Sequence, residues 1–229
     1  MSRTDGLLNG VKDILTLATS AGVFGLVYGM TSRQLGFPLW SVLMMSFIIF
    51  AGSSQFIAVN SISSGSSIPA TILTVAVVNL RMLLLSAAMN DAVKNEFSLT
   101  KRLIGSFFLT DETFVTYYAS LENSRPSMYR YVGSALTMYS IWIVSCYLGY
   151  ISGSLLPITM ARLLSFAFPA SFASILAMQI DSKETVIAVC IAAIASLICY
   201  LYFPGKLYII IGCVVGSLAG ASITKKENK

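Results

Sequence analysis

The sequence predicts an all-α membrane protein, a single polytopic helix bundle over residues 1–229 with seven or eight spans, some of them broken or kinked. Three observations predict it. Of the 229 residues, 56% are hydrophobic and only 11% charged, and the mean hydropathy is +0.78, which leaves too little polar surface to coat a soluble globule. Apolar runs alternate with short turns, and a hydrocarbon core of about 30 Å takes about 20 helical residues per crossing. Prolines and small polar residues fall inside several of these runs, where they bend or interrupt a helix.

The formal charge of +5 comes from 15 Lys and Arg spread singly between apolar runs. With no basic stripe, they read as topology determinants and headgroup contacts, and no nucleic-acid partner is expected. Cys146, Cys190, Cys199 and Cys213 all sit in apolar segments without metal-ligand spacing, so they read as buried free thiols, and no metal or cofactor is expected. Histidine is absent, which removes His-based triads, metal sites and proton relays together. At the N-terminus Asp5 and Asp13 offset Arg3 and Lys12, so the segment reads as an amphipathic lead-in rather than a cleaved signal.

Span one, about Val11 to Met30, places Gly22, Gly25 and Gly29 on one face suited to close helix packing. Pro38 opens span two, Leu39 to Val59, which holds Ser46 and the run Gly52-Ser53-Ser54-Gln55. Small residues with back-bonding hydroxyls permit either a packing kink or a true break there. Ser61 to Ser67 is an uncharged turn, and Pro69 opens span three, which runs to Met89 with Asn79 and Arg81 in its second half. Asn90 to Arg102 is the most polar connection. Span four follows with Thr110, Asp111 and Glu112 near its middle.

The last third reads as Tyr131 to Ser154 with Gly149 and Gly153, then a turn at Pro157 and Arg162. Leu163 to Ile180 follows, with Pro169 inside it, and then the surface turn Asp181-Ser182-Lys183-Glu184. Thr185 to Phe203, a hairpin at Pro204-Gly205-Lys206, and Leu207 to Ile223 complete the chain. Gly212, Gly216 and Gly220 mark one face of the last span, which a helix of this chain or a second chain would fill. The basic loop at Lys94 to Arg102 and the basic C-terminus fall on opposite sides of an eight-span protein, so charge bias does not fix the orientation.

The chemistry concentrates in spans two to four. Arg81 costs about 3 kcal/mol if it faces lipid, which leaves two readings: snorkelling to an interface, or pairing with a carboxylate of substrate or protein. Asp111 and Glu112 are helix neighbours about 100° apart, so at most one is expected to point into a common cavity. They are wet interfacial carboxylates or pathway groups that hold a proton or an ammonium.

The stretches Phe50-Ala51-Gly52-Ser53-Ser54-Gln55-Phe56, Val77-Val78-Asn79-Leu80-Arg81 and Leu109-Thr110-Asp111-Glu112-Thr113-Phe114 resemble the AzlC family in order and spacing. The family often carries a histidine directly after the arginine, where Met82 stands here. The resemblance implies the large subunit of a branched-chain amino-acid exporter in the bacterial inner membrane, acting with a small membrane partner of the AzlD type. It implies a multi-pass carrier of leucine, isoleucine and valine, with methionine as a further candidate, coupled to the proton gradient.

In that frame the substrate-binding candidates are Gly52, Ser53, Ser54, Gln55, Asn79, Arg81, Thr110, Asp111 and Glu112. Helix ends at Gly52 to Gln55 and Arg81 would take the substrate carboxylate. Asp111 or Glu112 would take the ammonium or a coupling proton, with Phe50, Phe56 and Phe114 against the aliphatic side chain. An intramembrane aspartyl hydrolase is disfavoured, since it needs two convergent carboxylates. A non-transporting assembly or sensor subunit is the remaining alternative, suggested by the glycine faces.

Overall fold

A computed structural model describes residues 3–121, 126–153, 180, 182–202 and 207–227. The described residues form helices only: α1 (Arg3–Gln34), α2 (Leu39–Ile48), α3 (Gly52–Ser63), α4 (Ile68–Val93), α5 (Leu99–Ser106), α6 (Asp111–Leu121), α7 (Met128–Ser152), α8 (Lys183–Tyr202) and α9 (Leu207–Glu227). Of these, α1, α4, α7 and α8 are each long and apolar enough to cross a membrane. The turn at Pro157 and Arg162, the span interrupted at Pro169, Asp181, and the hairpin at Pro204-Gly205-Lys206 lie outside the described residues, as does the Cys213 side chain.

The spine is the parallel pair α1 and α7, held together by glycines on both helices. A Cβ at Gly29 would stand 2.1 Å from the Cys146 carbonyl, one at Gly149 2.1 Å from that of Leu26, and one at Gly133 2.3 Å from that of Leu7. The matched pairs Leu7 with Gly133, Leu26 with Gly149 and Met30 with Gly153 fix the parallel direction. Backbones this close gain dispersion contacts along the whole seam.

The α7 side chains then act as a depth gauge for the rest of the bundle. Helix α2 starts level with Tyr150, whose hydroxyl donates to the Phe37 carbonyl at 2.9 Å. It ends level with Tyr139, which donates to the Phe47 carbonyl at 3.0 Å. Helix α3 does not continue across. Gln55 Nε2 donates to Ser46 Oγ at 2.9 Å, so the two helices lie side by side and the chain leaves by the end at which it entered. This is a re-entrant helical hairpin, which a membrane tolerates where protein or a cavity satisfies its tip.

The second pair repeats the design from the other end. The Gly105 carbonyl accepts from Tyr131 at 2.8 Å, the rings of Phe107 and Phe108 reach Tyr139 at 6.1 and 5.4 Å, and Tyr117 is back beside Tyr131 at 5.2 Å. Helix α4 links the two hairpins. It runs antiparallel to α3, with Asn79 meeting Ser54, and its far end packs Met89 and Val93 on Tyr117 and Tyr131. One unit, a crossing helix followed by a re-entrant hairpin, is thus used twice in opposite orientations, and the hairpin tips meet at Phe50, Phe107 and Phe108.

The expected interruption in span two is therefore a true break, at residues 49–51, and span four breaks as well. Both segments fold back instead of crossing, because their tips are anchored to α7 and to each other. The glycine face of α9 is filled within the chain: Gly212 and Gly216 face Ser196 and Ala192 of α8. Of the cysteines expected to be buried, Cys146 and Cys199 are, but Cys190 is exposed on the outer side of α8. Lys183 and Glu184 belong to the first turn of α8 rather than to a turn before it.

Candidate functional site

The site lies where the two hairpin tips expose helix N-termini inside the bundle. In the first tip Phe50 takes the left-handed conformation with φ of 42°, which reverses the chain. Ala51 is then extended, and α3 starts on Gly52. The amides of its first turn have no intrahelical partners and give this end a partial positive charge. A Cβ at Gly52 would meet the Trp142 ring at 2.7 Å, so only glycine lets α3 begin against that indole.

In the second tip Thr110 caps α6. Its amide donates to Thr113 Oγ1 at 2.7 Å, and the Thr113 amide donates back to Thr110 Oγ1 at 3.2 Å. The Thr113 hydroxyl also donates to the Phe108 carbonyl at 3.1 Å. This reciprocal cap places Asp111 and Glu112 in the first helical turn, where the helix dipole favours carboxylates by about 0.3–1 kcal/mol each. They are thus not in the middle of a continuous span, and both line the same cavity. The expectation that only one would reach it assumed an unbroken helix.

Arg81 of α4 spans the gap between the tips. Its Nη1 is 2.9 Å from Asp111 Oδ2 and its Nη2 donates to Ser53 Oγ at 3.4 Å. Both ion-pair partners are partly open, 32% and 26%, toward a cavity of about 330 Å3 inside the bundle. The snorkelling reading of Arg81 therefore gives way to pairing with a protein carboxylate. The cavity has two characters. Gly52, Ser53, Arg81, Thr110, Asp111 and Glu112 make its polar side, and Phe50, Phe56, Met82, Met138 and Trp142 its apolar side. Its size falls at the lower end of small-molecule pockets, about 300–1,000 Å3.

Ser54, Gln55 and Asn79 are not on that wall. Asn79 Nδ2 donates to Ser54 Oγ at 2.6 Å, tying α4 to α3. Gln55 is fully buried; it donates to Ser46 and accepts from Trp142 Nε1 at 3.1 Å. These three hold the first hairpin in place behind the site. Phe114, expected against an aliphatic substrate, stacks on Tyr118 at 5.2 Å and stands away from the cavity. Trp142, Met138 and Met82 are cavity residues that the motifs did not reveal. A signal for Trp142 was present, since a buried indole N–H needs an acceptor and a mid-span glutamine is one.

Apolar crossing helices enclosing two half-helix ends, a guanidinium and two carboxylates define an integral membrane protein with a polar site inside its bundle. The AzlC protein family matches over residues 16–156, and the chain belongs to that family. It is 32% identical over 218 residues to the inner membrane protein YgaZ of Escherichia coli (strain K12), covering 92% of this chain and 88% of that one. An uncharacterized membrane protein of Archaeoglobus fulgidus is 29% identical over 84% of this chain and 82% of its own length. The branched-chain amino acid transport protein AzlC of Bacillus subtilis (strain 168) is 28% identical over 57% of this chain and 51% of its own. No solved structure matches.

Proposed function

We propose that this protein is the large subunit of a branched-chain amino-acid exporter of the bacterial inner membrane, working with a small membrane partner of the AzlD type and coupled to the proton gradient. The observation that carries the reading is the Arg81–Asp111 pair held between two half-helix N-termini and facing an aromatic wall. An amino acid offers a carboxylate, an ammonium and an apolar side chain. The site offers a guanidinium with helix-end amides, two carboxylates, and the rings of Phe50, Phe56 and Trp142.

Substrate binding exchanges partners. The incoming carboxylate takes the guanidinium and the α3 amides, and the ammonium takes the carboxylate that Arg81 releases. The second carboxylate then holds the coupling proton, because two adjacent acids beside one cation do not both stay charged out of water. Each side-chain methylene placed against the apolar wall adds about 0.8 kcal/mol, which favours leucine, isoleucine, valine and methionine over smaller amino acids. The name of the B. subtilis relative supports this substrate class. The assembly-subunit reading loses its support here, because the glycine faces of α1, α7 and α9 are filled within the chain.

The deciding experiment is efflux of preloaded labelled leucine, isoleucine, valine and methionine from cells expressing this chain, with and without a co-expressed small partner, and with Arg81→Ala as control. Faster efflux that needs both chains and Arg81 is expected. No change for any of the four amino acids rejects the substrate class.

A further inference from the structure

A second cavity, of about 200 Å3, lies between the end of α4, the α5–α6 hairpin and the start of α7. Its wall is mostly apolar, with Met89, Val93, Leu103, Tyr117 and Tyr131. Asn90, Lys101 and Arg102 also line it. Arg102 donates through Nη1 to Asn90, while its buried Nε has no hydrogen-bond partner among the described residues. Ser86, Ser106 and Leu109 line both this cavity and the central one. Among the described residues, Leu109 is the one bulky side chain of that shared wall, between two hydroxyl-bearing neighbours, and it sits in the turn between α5 and α6 rather than within a helix.

The end of the bundle on which this cavity lies has a definite electrical character. Because both hairpins are re-entrant, the start of α1, the end of α4 and the start of α7 share one end. Arg3 there lies over the Tyr129 ring at 5.7 Å and Arg130 pairs with Asp13 at 2.5 Å. Lys12, Lys94, Lys101 and Arg102 are at the same end. Among the described residues of α1 to α7 and their connections, the opposite end carries Arg33, stacked on Tyr150 at 5.0 Å. Lys and Arg collect on the cytoplasmic side of membrane proteins, so the second cavity lies on the cytoplasmic side.

We propose that this second cavity is a cytoplasmic vestibule leading to the central site, and that Leu109 is the gate between them. The class of solute it suits is a small carboxylate with an aliphatic side chain: Lys101 and Arg102 attract the anion and the apolar wall passes the side chain. That solute class rests on the transport reading above, but the gate is testable without any solute.

Met82 lines the central cavity and not the vestibule, so Met82→Cys reports access to the centre. Its labelling by a membrane-impermeant sulfonate-bearing methanethiosulfonate reagent is followed above the wild-type background, in inverted membrane vesicles and in intact cells. Labelling is expected in inverted vesicles, slower by about tenfold when Leu109→Trp is added and faster with Leu109→Ala, as a side chain that occludes a passage requires. Labelling from the outer side alone, or a rate unmoved by either Leu109 substitution, overturns the proposal. If the Leu109→Trp protein fails to accumulate, Leu109→Ala decides by itself, and no acceleration rejects the gate. Failure of leucine efflux with the labelling pattern intact would reject the substrate and leave the gate standing.

Discussion

Phe50 carries the backbone reversal of the first hairpin in a conformation that costs a non-glycine residue about 1–2 kcal/mol. Its ring repays that strain by packing on Tyr139 at 4.8 Å and on the tip of the other hairpin. The two contributions separate by substitution. Phe50→Ala loses the ring and keeps the strain, whereas Phe50→Gly loses the ring and relieves the strain, so the glycine variant should be the more stable by about 1 kcal/mol. Thermal unfolding of both in detergent measures the difference, and equal stability would show that the strain is absent. At the central pair, Asp111→Asn removes the charge partner of Arg81 while keeping its shape. We expect it, and Glu112→Gln, to reduce leucine efflux at least about tenfold with normal amounts of protein in the membrane, as loss of a pathway carboxylate does. Unimpaired efflux in both would remove these carboxylates from the mechanism.

Among the helices, α1 and α7 have the least tolerance for change. Gly149→Ala places a Cβ 2.1 Å from a backbone carbonyl that has no rotamer to retreat into, so the seam must open. A cost of about 1–3 kcal/mol is expected. Among the described residues, Gly220→Ala meets an ordinary 3.6 Å contact with Ala188 and should be close to neutral; a comparable loss of melting temperature for both would contradict the packing described. The helices themselves were legible in the sequence, and so was the interruption beside Gly52, because small residues and hydroxyls announce weak helix. The direction taken after the interruption was not legible. Apolar helices of ten and twelve residues have the same hydropathy whether they run on or double back, and contacts such as that between Ser46 and Gln55, nine positions apart, separate the cases. The second break was hidden as well: Thr110 and Thr113 stand inside one apolar run, and only their reciprocal cap marks a helix start there. Of the nine candidate site residues, six reach the cavity wall and Ser54, Gln55 and Asn79 stand behind it, a distinction that depends on which face of α3 turns inward.

For the whole molecule, the repeated unit accounts for how one chain presents two helix ends to one point from opposite sides. Such an arrangement is suited to exposing a fixed site alternately to the two faces of a membrane while each hairpin moves against the crossing helices. The two hairpins are not equally held. Gln55, bonded to Ser46 and Trp142 in a fully buried position, pins the first, whereas the second borders the vestibule. Re-entrance also bears on any attempt to map this protein by fusing a reporter enzyme to its loops. Counting apolar runs assigns the turns at Gly36 and Gly65 to opposite compartments, yet both lie at the same end of the bundle, and fusions at the two positions should give the same colony phenotype. Opposite phenotypes would show that the first hairpin crosses. The second hairpin cancels the miscount of the first, so a map made from distant fusions alone would look self-consistent while placing the loop from Lys94 to Arg102 in the wrong compartment.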